Sequence, residues 1–373
     1  MLHVDIPSIS QLKTLVSVRA DACVSLYLPT TPLSQDAQAD RTALRNLGRD
    51  ALRQLEAAGL DKRRLQALEA QIAELADDHE FWNDQARSLA VLLTPERLVS
   101  FRLPNRLEPL AQASDRFHIK PLLRAVTFPQ EAFVLALSQN DARLVHVLAD
   151  LPPERIRVPD MPDDAASSVG KASLADRAPV GRIQGQEGLK VRLRQYARKV
   201  DHAIQPHLAG RDTLVLIAAA EPLDAIFREV SAYPHLGQET IRGNADRSSD
   251  EELAAAARPL IDRHNRASLD AIHELFAKRA GEDRATDDLA RAARAATMGA
   301  VDTLLINIDE VIPGTLDERD GSIRFADAES AGSYGIVDEI AGRALLSGAR
   351  VLGVRRDDLP AGPHLAAILR WSI

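Results

Sequence analysis

A chain of 373 residues, 45% of them hydrophobic, is long enough for two or three domains with real cores. Its formal net charge of −8 excludes a protein that coats nucleic acid with its whole surface, but leaves room for local basic patches. The single cysteine, Cys23, excludes an internal disulfide framework and a cysteine cluster for zinc, and predicts a reducing cytoplasm. The opening MLHVDIPSISQLKTL has neither the basic start nor the apolar core of a signal peptide. The longest apolar run, Leu214 to Ala220, is strand-sized, so no membrane partner is predicted.

Residues 1–127 read as an α/β domain. Ala22 to Leu28 is a predicted strand closed by Pro29 and the Thr30-Thr31-Pro32 turn. Asp36 to Asp77 has a helical pattern broken at Ala58-Gly59, which predicts an antiparallel helical pair. Leu89–Leu93 and Arg97–Phe101 predict a hairpin around Thr94-Pro95-Glu96, and His79, Phe81 and Trp82 read as a packing anchor.

A second domain is expected over 128–284. Phe133–Leu137 and Arg143–Leu148 predict another hairpin, with His146 as an outward-facing strand residue. Pro152 to Val180, rich in Pro, Asp, Ser and Ala, reads as one long mobile loop, and 152–188 as the loop region of this domain. Asp212 to Ala218 is a buried strand, Pro222 to Ser231 a helix and Thr240 to Gly243 a short edge strand. Asp250 to Lys278 is a long helix with Ser248 or Ser249 as its N-cap. A third domain, 285–373, alternates the helix Leu289–Met298, the strand Gly299–Ile306, a hairpin from Gly314 to Phe325 with Asp320-Gly321 at its tip, the helix Ile336–Leu346 and strands at Ala349–Val354 and Leu365–Trp371. Three layered α/β domains follow from that alternation.

The stretch Gly181 to Leu208 concentrates the functional signal. The loop Gly181-Arg182-Ile183-Gln184-Gly185-Gln186-Glu187-Gly188 runs into a helix whose Leu189, Leu193, Tyr196, Val200 and Ile204 form one apolar stripe. Lys190, Arg194 and Arg198 lie four apart on one flank, and Arg192 and Lys199 lie seven apart on the other. A glycine-punctuated tip backed by positive charge suits delivery to a polyanion; an ordinary amphipathic helix has the same spacing.

These residues resemble the peptide-chain release factor and Pelota superfamily, and more closely its bacterial branch, the bacterial archaeo-eukaryotic release factor family. Over residues 299–373 the resemblance rests on Gly299–Leu305, on Val337–Ala341 through Gly348–Val351, and on Leu365–Trp371. In the middle domain it rests on Gln184-Gly185-Gln186 leading into a basic helix, where release factors carry Gly-Gly-Gln. The resemblance implies an RNase H-like, release-factor-like middle domain and a Pelota-like, ribosomal-protein-like α/β/α sandwich at the C-terminus. It implies Gly185 and Gln186 as the catalytic pair for peptidyl-tRNA hydrolysis. It implies Arg182, Lys190, Arg192, Arg194, Arg198 and Lys199 as contacts to tRNA or ribosomal RNA phosphates. The implied partners are the ribosome, tRNA and ribosomal RNA, with a translational GTPase left open and no cofactor or metal. Gln184 departs from the pattern, because glycine reaches positive φ freely and glutamine does not. The N-terminal domain shows no counterpart of stop-codon-reading motifs.

A glutamine is no general base at neutral pH. It orients groups by hydrogen bonding, so such a catalyst needs a partner to supply the rest of the site. Competing constellations are poor. His202 and His207 lie five apart with Pro206 between, not at zinc-pair spacing. Asp317, Glu318 and Asp320 lack the calcium-loop pattern. Gly181, Gly185 and Gly188 follow a loop rather than a strand. Two other functions stay open: a non-catalytic, Pelota-like ribosome-binding or stress adaptor, and a metal-dependent nuclease whose acidic site only the fold assembles.

Overall fold

The computed structural model describes residues 4–31, 37–128, 130–149, 151–168, 186–243, 245–327 and 335–373. It divides into two compact units, Met1–Phe128 with Leu269–Ile373, and Pro129–Ser268.

The first unit opens with α1 (Ile9–Ser17), β1 (Cys23–Pro29), α2 (Ala37–Ala57), α3 (Lys62–Asp77), α4 (His79–Asn83), β2 (Ser88–Thr94), β3 (Arg97–Leu103), β4 (Leu110–Ser114) and α5 (Lys120–Thr127). Four antiparallel strands lie in the order β3-β2-β1-β4. Their period-two alternation feeds two cores. Val24, Leu26, Leu28, Leu89, Val91 and Leu93 pack against α2 and α3. Cys23, Tyr27, Ala90 and Leu92 face the other way, toward α1 and α5. Both faces are covered, which is why β1 and β2 read as unbroken apolar runs. The helical pair breaks after Ala57, as the Ala58-Gly59 signal predicts, and Gly59 takes a positive φ there. Trp82 is the expected anchor: it is buried, donates Nε1–H to the Leu75 carbonyl at 2.8 Å and meets Phe81 edge-on. The helices α1 and α5 and the strand β4 are additions to the predicted elements. The first of these is announced by a capping box, Ser8 with Gln11.

The second unit contains β5 (Glu131–Leu137), β6 (Ala142–Leu148), β7 (Glu154–Ile156), α6 (Ala165–Ser168), α7 (Gln186–Leu208), β8 (Leu214–Ala219), α8 (Leu223–Val230), β9 (Leu236–Thr240) and α9 (Asp250–Ala280), whose last turns pass into the first unit. The sheet order is β7-β6-β5-β8-β9, with β6 antiparallel to both its neighbours and β8 parallel to β5 and β9. This is the strand order of an RNase H-like sheet. Phe133, Leu135, Val215 and Ile217 face α7 and α8, while Val134, Ala136, Leu216 and Ala218 face Leu253, Ala257 and Ile261 of α9. Three readings change here. Within the expected loop 152–180, residues 154–156 pair with β6 and 165–168 form a helical turn; 169–180 lie outside the described residues. The edge strand falls at Leu236–Thr240, four residues earlier than predicted, because Gly237 packs its backbone against Leu216. His146 does not face outward: it lies half-buried over Phe133 with ring centroids 5.0 Å apart, and pairs with Glu131 at 2.7 Å. Ser249 is the N-cap of α9, exchanging hydrogen bonds with Glu252.

The chain then completes the first unit with β10 (Ala285–Thr286), α10 (Leu289–Thr297), β11 (Val301–Asn307), β12 (Gly314–Leu316), β13 (Ile323–Phe325), α11 (Ile336–Leu346), β14 (Arg350–Val354) and β15 (Leu365–Leu369). Its sheet runs β10-β15-β11-β14, with α10 and α11 on one face and Leu269, Ile272 and Phe276 of α9 on the other, an α/β/α arrangement. The predicted hairpin is present as β12 and β13. Gly321 sits in its turn at φ +72°, where an added Cβ would lie 2.7 Å from the Ala293 carbonyl oxygen. The Gly321→Ala variant is therefore expected to lose about 1–3 kcal/mol in thermal or denaturant unfolding; an unchanged midpoint would contradict the crowding.

Candidate nucleic-acid interface

The helix α7 is held by its apolar stripe. Leu193, Tyr196, Val200 and Ile204 are buried against the sheet and α8, with Leu189 partly buried at the edge of the same core. The burial of Ala197 and Ala203 widens the docked face beyond the stripe read from spacing. The Tyr196 hydroxyl has no hydrogen-bond partner among the described residues, and burial, then the fields of Asp141, Asp164 and Asp246, push its pKa up. It acts as a packing group rather than an acid.

With that face committed, the opposite side of α7 is fixed by helical period and turns outward. Lys190, Arg194 and Arg198 form one exposed row, and Lys199 with half-buried Arg192 borders the other side. Their present engagements differ. Arg194 is ion-paired with Glu229 of α8, and Lys199 Nζ donates to the Ser168 carbonyl at 2.6 Å. Lys190 and Arg198 have no ion-pair partner among the described residues. Gln195 and His202, exposed beside Arg198 at the i, i+3, i+7 spacing, complete the outward arc. Their spacing was available in the sequence, though neither is a cation. Arg182, Gln184 and Gly185 lie outside the described residues; Gln186 opens the helix.

The Lys199 contact has a topological consequence. It ties Ser168, the last described residue before the segment 169–185, to the middle of α7, and that segment ends where α7 begins. Both ends of the 169–185 connection are thus attached to one cationic helix. No three His, Cys, Asp or Glu side chains gather as a metal ion would need among the described residues. His202 lies exposed on the outward arc.

Residues 129–267 match the model of Bacterial archaeo-eukaryotic release factor family 11, nearly the whole of the second unit. Similar solved structures include S. cerevisiae Dom34, a translation termination-like factor involved in RNA quality control pathways and interacting with Hbs1. It is 11% identical over 77% of this chain and 80% of that one, with a TM-score of 0.43. The ribosome-bound archaeal Pelota and ABCE1 model is 12% identical over 77% and 78%, with a TM-score of 0.41. An archaeal translation termination factor is 17% identical over 98% and 99%, with a TM-score of 0.24. No curated protein matches the chain.

Proposed function

We propose, from the match of residues 129–267 to the bacterial archaeo-eukaryotic release factor family, that this unit acts on peptidyl-tRNA in stalled or special ribosomes. Gly185 and Gln186 are the proposed working pair, and Gln186 orients a water against the ester. Its amide can donate and accept hydrogen bonds but cannot take a proton, so the pocket for the ester comes from the RNA machine. Arg182, Lys190, Arg192, Arg194, Arg198 and Lys199 neutralise tRNA or ribosomal RNA phosphates. Such contacts position without reading sequence. The protein works in the cytoplasm, and a translational GTPase is a further proposed partner.

The observation that carries this reading is the outward row of Lys190 and Arg198 on a helix docked by Leu193, Tyr196 and Val200, the helix that follows residues 169–185 in the sequence. Arg194 and Lys199 would exchange Glu229 and Ser168 for phosphate oxygens. The test is co-sedimentation with ribosomes across a salt series. The double variant Lys190→Ala, Arg198→Ala is expected to reduce the slope of log affinity against log salt by roughly 1.5, the loss of two phosphate contacts. A slope identical to that of the unaltered protein contradicts the assignment.

One observation favours a second reading. Gln184 occupies the place of the first glycine, where a positive φ is strained for any residue with a Cβ. A loop that bends differently gives a Pelota-like adaptor that binds ribosomes without hydrolysing the ester. Gln184→Gly separates the two: it raises peptide release if the reading is catalytic but impaired, and leaves release at zero if the role is adaptor only.

A further inference from the structure

Away from α7, in the first unit, α1 does not fully cover the sheet it packs on. A cavity of about 220 Å³ opens between α1 and the adjacent strands β2 and β3. Leu15 and Val18 of α1 wall one side, and Leu92, Val99 and Phe101 wall the other. A dry apolar cavity of about 150 Å³ is already enough to hold a benzene-sized guest. The polar groups at this cavity are Gln11, Thr14, Thr94 and Arg97. Arg97 is exposed and has no ion-pair partner among the described residues, while its neighbour Glu96 is turned to Arg64 at 3.2 Å. No carboxylate lines the cavity among the described residues.

We propose that this cavity is a binding site for a small carboxylate with an apolar body, a short or medium-chain fatty acid or a compact aromatic acid. The apolar walls take the hydrocarbon, and the Arg97 guanidinium takes the carboxylate as a forked hydrogen-bonded pair. Register places the charge correctly: Arg97 pairs with Thr94 across the hairpin and Val99 with Leu92, so the cation stands at the rim of the same sheet face whose next rung is apolar. An uncharged guest of equal length would fill the walls and leave Arg97 facing water.

Titration of the full chain with octanoate and with octanol, followed by calorimetry and by the methyl resonances of Leu15 and Val99, tests the proposal. Octanoate is expected to bind saturably and about threefold to fivefold more tightly than octanol, the gain of one partly exposed ion pair. Arg97→Gln is expected to remove that preference while keeping octanol binding. Val99→Trp, at a half-exposed edge position, and Thr14→Trp, from the opposite wall, are each expected to abolish binding of both probes with thermal unfolding kept cooperative. No saturable octanoate binding, equal affinity for the two probes, or binding that survives both tryptophan variants overturns the assignment.

Discussion

The Gln186→Ala variant is expected to lose peptide release on ribosomes by about a hundredfold to a thousandfold while sedimenting with them as the unaltered protein does. The size follows from what the side chain can do. In the proposed role it supplies oriented hydrogen bonds to a water or to developing charge, and deletion of one preorganised donor at a reacting centre costs on that order. Binding should be spared because the α7 cations proposed to hold phosphates are other side chains, from Lys190 onward. Folding should be spared because the helix is fixed by Leu193, Tyr196, Val200 and Ile204, about two to five turns further on. Single-turnover release measured beside co-sedimentation separates the two effects. Release at the original rate removes Gln186 from the chemistry, and loss of binding along with release makes it a docking residue instead.

The second large effect concerns stability. Asp338→Ala is expected to destabilise the first unit by about 3–5 kcal/mol, the cost of leaving a buried cation without its counter-charge. Lys120 is 1% exposed, and its Nζ lies 3.7 Å from the Asp338 carboxylate. The same carboxylate stands 3.3 Å from His118 Nδ1 and accepts from the backbone N–H groups of Ile119 and Lys120. One α11 side chain therefore satisfies the start of α5, while its neighbour Glu339 gathers Arg19, Arg116 and Arg343. The double variant Lys120→Met, Asp338→Leu should recover only the part of the loss owed to the unpaired cation, since the Ile119 and Lys120 N–H groups and the His118 ring still lack their acceptor. Equilibrium denaturation of the single and double variants decides it. An Asp338→Ala midpoint equal to that of the unaltered protein contradicts the account.

How far the sequence discloses the molecule depends on where each element takes its instructions. The stripe on α7, the continuous strands Cys23–Pro29 and Leu214–Ala219 and the break at Ala58-Gly59 are encoded locally, by period, burial on both faces or a glycine stop, and all are legible. The strand β4, Leu110–Ser114, is not: LAQAS carries one weak alternation and exists because it pairs with β1 along Cys23–Tyr27. The turn of α6 and the strand β7 likewise depend on β6 and on Gln139, whose carbonyl accepts from Ala165 N–H. At the candidate interface the cations and their flanks can be read from spacing. Which of them are engaged cannot, because Glu229 and Ser168 reach α7 only through tertiary packing. Lys120 and Asp338 are the extreme case, more than two hundred residues apart and joined solely by the fold.

The most direct measurement sets purified protein against peptidyl-tRNA twice, once free in solution and once held in stalled ribosomes, and follows release of labelled peptide. The proposed role predicts hydrolysis on the ribosome and none from free peptidyl-tRNA, because the chain brings the orienting amide and the RNA brings the pocket. Equal cleavage of the free ester, or no release above the ribosome's own background, would contradict it.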